Sequence, residues 1–397
     1  MRVSLMEGRP KALTMDSFWV FFGLYALMGA TDASLGVSWN TLLSQHNLGS
    51  SQLAVALFLG TAAALPLFWW GGKWLEGRDK RPALLLAVGL VLLSSAMALF
   101  AASSLALLIA AFLVVPSVAL LELGASSSVL EHKQAMGRVH SGFAVGAVLG
   151  AALTGFLSSG GQLKQLMFFL LMVAVPLVYG VLKLPRATLR VPLARGIQAR
   201  VTTKSPLLTL IAPIVVVVAF SEGVMLSWSG LFFERELHLS AAQSGTLSGV
   251  YYLAFGVGAF LSSSLLSRLS HRTALSLLGA LATLGGLILA LSSSALLATG
   301  GLLLLGFSLA GMLPTLLEWA GFRIGLGAAG LVGTFAYAGM LLEPLLASLY
   351  GEHLRVLFLG IPLLMAAGTL ALVFPQLERV FKKARVVAEV EVGAAWD

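Results

Sequence analysis

Twelve stretches of about 20 mostly apolar residues leave this chain only a lipid bilayer in which to fold. A run of that length crosses the hydrocarbon core as a helix, where every backbone hydrogen bond must be satisfied internally. The stretches fall at 17–42, 50–72, 82–102, 104–130, 139–158 and 163–184, then at 207–231, 241–266, 273–293, 295–320, 325–350 and 355–375. Residues 82–132 and 273–322 hold no Lys or Arg and are too long for one crossing. Each is therefore read as a helical hairpin, turning at Ser103-Ser104 and at Ser292-Ser293-Ser294. With 58% hydrophobic and 11% charged residues, the composition excludes a soluble domain. The first apolar run is too long for the core of a cleaved signal peptide and reads as a span.

Charge sets the topology. Of 25 Lys and Arg residues, 22 lie in the termini and in alternate loops on one side, while Lys164, Arg235 and Arg355 lie on the other. Basic residues stay on the cytoplasmic side, so both termini are expected there, in a multi-pass protein of the cell (inner or plasma) membrane. The net charge of +8 is loop charge, and no nucleic-acid partner is implied. The expected organisation is a six-helix bundle over 1–184, a basic cytoplasmic linker over 185–206, a second bundle over 207–375 and a cytoplasmic tail over 376–397. The linker's charges would lie near anionic headgroups, with its prolines at 185 and 192. The tail reads as a short amphipathic or disordered end. A monomer is expected.

A repeat runs through the spans. Asp32 precedes Ser38-Trp39-Asn40, and Glu222 precedes Ser227-Trp228-Ser229 about 190 residues later. Pro116 precedes Leu121-Glu122, and Pro314 precedes Leu317-Glu318. The fold class that follows is an all-α membrane protein of twelve transmembrane helices in two pseudo-symmetric six-helix bundles. Duplicated halves of this kind typify secondary transporters.

Five carboxylates, Asp32, Glu122, Glu222, Glu318 and Glu343, lie within spans that contain no Lys or Arg. Intramembrane charges are costly and commonly functional. Desolvation without a counter-charge favours the neutral carboxyl, so such a group can load and release protons. Asp32, Glu122 and Glu222 are the proton-coupling candidates. The competing reading is a protonated side chain that merely links two helices. Trp39, Asn40, Glu122, Trp228 and Glu318 are candidate substrate contacts, with an interfacial aromatic belt as the alternative for the two tryptophans. Glu343 precedes Pro344, which suits either a kink with a polar neighbour or a ligand site. His140 reads as a hydrated helix-end residue or a proton relay. Gly142, Gly146, Gly150 and Gly155 form a small-residue face for close helix packing.

The loop from Gly72 to Arg81, with Glu76, Arg78 and Lys80 between, resembles the signature loop of the major facilitator superfamily. A faded copy stands at Ser267-Arg268-Leu269-Ser270-His271-Arg272. The resemblance implies the major facilitator fold and a cytoplasmic gating role for Gly72, Glu76, Arg78 and Arg81. Thr31-Asp32, Leu121-Glu122 with Gly124-Ala125, Gly137-Arg138-Val139-His140-Ser141 and Ser221-Glu222-Gly223 resemble the fucose-permease-related branch. That branch uses carboxylates in helices 1 and 4 for proton coupling and sugar recognition, and Asp32 and Glu122 fall on those positions. Phe143 stands where its sugar permeases place Asn.

The expected function is secondary active transport of a small polar solute, a sugar or related compound, by proton symport. The alternative is a proton-driven efflux antiporter for an amphipathic compound. No HExxH, GxSxG or Cys is present, so neither an enzyme, a cofactor nor a metal is expected. The partners are a small-molecule substrate, protons and the lipid bilayer.

Overall fold

The computed structural model describes residues 14–75, 78–129, 136–185, 206–266, 269–324, 328–350 and 353–393. Twelve helices among them are long and apolar enough to cross a membrane. The first six are α1 Met15–Gln45, α2 Ser50–Leu75, α3 Arg81–Leu99, α4 Ser104–Val129, α5 Met136–Ser159 and α6 Leu166–Lys183. The second six are α7 Pro206–Arg235, α8 Ala241–Leu266, α9 His271–Ala290, α10 Ala295–Ile324, α11 Ala328–Tyr350 and α12 Leu354–Gly393. Both runs without Lys or Arg are hairpins, α3–α4 and α9–α10, as their length requires. Helix α12 continues past the end of its apolar span at Phe374, so the backbone is helical as far as Gly393 in the segment expected to be a short tail. Most of the linker, 186–205, lies outside the described residues.

Burial identifies the central helices. Within their apolar windows α1 is 72% and α7 61% buried, against 28% for α6 and 33% for α12. The repeat-bearing helices are thus at the middle, and α6 and α12 face lipid. Phe156, Phe168, Met172, Leu296 and Phe374 point outward, as apolar side chains do where the surroundings are hydrocarbon.

Glycines set the closest helix contacts. A Cβ at Gly142, Gly146 or Gly150 would strike the α1 backbone at Phe22, Ala26 or Ala30, and one at Gly29 would strike Phe143 of α5. The second bundle packs α11 on α7 in the same way, through Gly339 against Val216. Gly155 serves a different contact: it meets Ala241 and Gly245 of α8, joining the two bundles. Gly36 and Gly230 bring α1 and α7 together near the same face. Helices α2 and α11 also meet across the seam.

Candidate functional site

A cavity of about 200 Å³ lies on the seam between the bundles. Each bundle contributes two carboxylates to its wall: Asp32 of α1 and Glu122 of α4 from the first, Glu222 of α7 and Glu343 of α11 from the second. The described lining includes no Lys, Arg, Asn or Gln. Glu122 lies close enough to Asp32 and to Glu222 for their charges to act on one another.

Two of the four carboxylates have side-chain hydrogen-bond donors. The Tyr337 hydroxyl donates to Glu122 Oε2 at 2.9 Å, a bond from α11 to α4 that crosses the seam. The Trp228 indole N–H donates to Glu343 within the second bundle. Such a bond contributes about 0.5–1.5 kcal/mol to a neutral carboxyl and about 1.5–3 kcal/mol to an ionised one. The other two, Asp32 and Glu222, face the cavity without a hydrogen-bonding side chain on them among the described residues. Tyr252 lies near Asp32 and Tyr251 near Glu222.

Helical spacing explains which expected residues reach the cavity. At 100° per residue, Trp39 is seven positions after Asp32 and returns to within about 20° of its direction. Trp39 does line the cavity. Trp228 is six positions after Glu222, about 120° round the helix. It is fully buried behind the wall, where it holds Glu343.

Glu318 is a correction of the same kind. Glu122 follows its proline by six residues and Glu318 by only four, so the two differ by about 200° around the axis. The true counterpart of Glu122 is the fully buried Ala320, and Glu318 is exposed outside the cavity. Asn40 is likewise not on the cavity wall. Its amide donates to Glu234 Oε2 at 2.7 Å, while its carbonyl accepts from Arg235 Nε at 2.8 Å. Arg235 also donates to Ser50 Oγ at 3.1 Å, so α1, α2 and α7 are latched on the face expected to be external.

His140, Tyr251, Tyr252 and Tyr337 join the wall without having been singled out as contacts from sequence. Helix α5 starts at Met136, which seats His140 on the cavity wall instead of at a hydrated helix end. Its ring packs edge-on to Tyr25 at 5.1 Å and stacks on Phe143 at 6.0 Å.

In the expected gating loop, Glu76 lies outside the described residues, and Gly72 lies in the last turn of α2. Arg78 stacks over Trp74 at 5.1 Å. Arg81 pairs with Asp79 at 3.7 Å and donates to the Leu184 carbonyl at the end of α6. Buried Lys80 donates to Ser127 O at 2.9 Å at the end of α4. Arg272 repeats the Arg81 contact in the second bundle, donating to Leu372 O of α12 at 2.7 Å.

Two helical bundles enclosing a carboxylate-lined cavity on their seam have the architecture of a secondary transporter. Residues 21–335 match the Major Facilitator Superfamily, and the chain belongs to that family. Among curated proteins, no relative matches the sequence closely enough to lend it a function. Solved structures share the fold at low identity. A bacterial homolog of the human lysosomal transporter Spinster, inward-facing and unoccupied, is 16% identical with a TM-score of 0.65, covering 90% of this chain and 94% of that one. A D-xylose-proton symporter is 13% identical with a TM-score of 0.67, covering 90% and 96%. The nucleoside transporter NupG is 12% identical with a TM-score of 0.66, covering 89% and 98%.

Proposed function

We propose that this major facilitator is a proton-coupled carrier of a small organic solute, with Asp32, Glu122 and Glu222 as the groups that load and release protons. The observation that carries the reading is the set of four carboxylates on one small cavity with no Lys or Arg beside them. Uncompensated charges at that depth are too costly to keep for packing alone. The Tyr337–Glu122 bond adds a route for coupling, since it ties the state of one carboxyl to the relative position of the bundles. Alternating access would then rock the bundles about the cavity.

Symport of a small polar solute such as a sugar is supported by the resemblance to fucose-permease-related proteins, whose carboxylates occupy the Asp32 and Glu122 positions. Proton-driven antiport of an amphipathic compound is the second reading. It is supported by the aromatic wall of Trp39, Phe143, Tyr251, Tyr252 and Phe255. The test is the purified protein in proteoliposomes containing a pH-sensitive dye. Solute addition should move protons in the wild type, inward with solute for symport and opposite to it for antiport. Solute flux with no proton movement at any pH would exclude the coupling.

A further inference from the structure

Resting on the reading of this cavity as the transport site, we infer that the solute is a small organic cation, an ammonium compound that competes with protons for the carboxylates. The wall excludes the opposite charge. An anion would enter among Asp32, Glu122, Glu222 and Glu343, and the described lining offers it no Lys or Arg. Among the described lining, His140 is the one side chain able to turn cationic, and it is packed between Tyr25 and Phe143.

The wall also suits a neutral polyol poorly. Sugar hydroxyls need donors as well as acceptors, and an unmatched polar group in a dry site is costly. No amide side chain is among the described lining. Thr61 spends its hydroxyl on the Leu57 carbonyl at 2.9 Å, and Tyr337 spends its own on Glu122. The donors left to a neutral solute are those of Trp39, His140, Ser227, Tyr251 and Tyr252, set among four carboxylates and aromatic surface.

Those two features together recognise ammonium groups. Carboxylates supply the counter-charge, and ring faces attract a cation through their quadrupole, as in cages for quaternary ammonium ligands. Tyr251 and Tyr252 bring two rings beside Glu222 and Asp32, and Trp39 shares the face of Asp32. At about 200 Å³ the cavity is smaller than the roughly 300–1,000 Å³ of ordinary small-molecule sites. It therefore fits a compact cation with few heavy atoms better than a drug-sized one. Because the same carboxylates would bind either the cation or protons, the two exclude each other, and exchange is the natural stoichiometry.

The experiment is binding to the purified full-length protein in detergent, using small ammonium ions from primary to quaternary, each beside its neutral carbon isostere. Choline and the alcohol in which carbon replaces its nitrogen form one such pair. At least one ammonium ion should bind about tenfold or more tightly than its isostere, with affinity falling as the pH is lowered. Glu222→Gln should weaken that binding and Glu222→Asp should restore much of it, with unfolding temperature reporting that both variants are folded. If no ammonium ion binds better than its isostere, the cationic-solute inference is overturned. If a neutral sugar instead moves protons in proteoliposomes, the carrier reading survives that failure. If an ammonium ion binds and crosses without moving protons, the solute class stands and the proton-coupled reading falls.

Discussion

Tyr337 and Glu122 lie 215 residues apart in the chain, in different bundles, and share a hydrogen bond of 2.9 Å on the wall of the central cavity. Around them pack Ala64 of α2 and Ala119 of α4, so the bond sits within a small apolar contact that closes the seam. Any motion that separates α4 from α11 must break it.

Tyr337→Phe should therefore change the balance between the two access states. Loss of a charge-assisted bond of about 1.5–3 kcal/mol corresponds to roughly tenfold or more in that ratio. Single-cysteine labelling reads the ratio directly, and the natural chain contains no Cys to give background. An unchanged labelling ratio on both faces would mean that the bond does not distinguish the states.

Asp32→Asn and Glu122→Gln keep side-chain shape and remove titration. Each should cut proton-driven accumulation by at least about tenfold while exchange of labelled for unlabelled solute persists. The wild-type rate should vary with pH and the double variant's should not. Retention of the full pH profile in the double variant would remove both carboxyls from coupling.

Asn40, Glu234, Arg235 and Ser50 form a polar latch between α1, α2 and α7. Asn40→Ala withdraws a donor from Glu234 and an acceptor from Arg235, while Arg235 keeps its bond to Ser50, so the latch weakens by about 1 kcal/mol for each bond lost. Labelling of a cysteine introduced at Val37 from the external face should rise by roughly tenfold. Equal labelling with and without Asn40 would show that apolar packing alone holds that face shut.

Gly146→Leu should abolish stable folding, because a Cβ there collides with the Ala26 carbonyl of α1. Gly89 has nothing within 4 Å of its missing Cβ, so Gly89→Ala should be neutral or stabilising by up to about 1 kcal/mol. Thermal unfolding in detergent compares the two. A tolerated Gly146→Leu would refute the close α1–α5 contact.

The spans were legible because apolar length and Lys/Arg placement both follow from the bilayer, which constrains each helix separately. The buried carboxylates were legible for the same reason. What sequence resemblance blurred was rotation: Trp39 and Trp228, or Glu122 and Glu318, look equivalent until the spacing from Asp32, Glu222 or the prolines is counted residue by residue. One or two positions turn a side chain by 100–200° and move it off the cavity. Tyr251, Tyr252 and Tyr337 carried no signal, since an aromatic in a span is ordinarily packing or interface. Asn40 and Arg81 each have partners fixed only by the tertiary fold, one across the seam and one at the far end of its own bundle.

Arg81 ties the start of α3 to the end of α6, and Arg272 ties the start of α9 to the end of the apolar span of α12. Each half of the chain is thereby cinched shut by a strap made wholly from its own residues. Neither strap draws on residues 186–205. Two polypeptides divided between the bundles and produced together would each keep the strap that joins its own third and sixth helices.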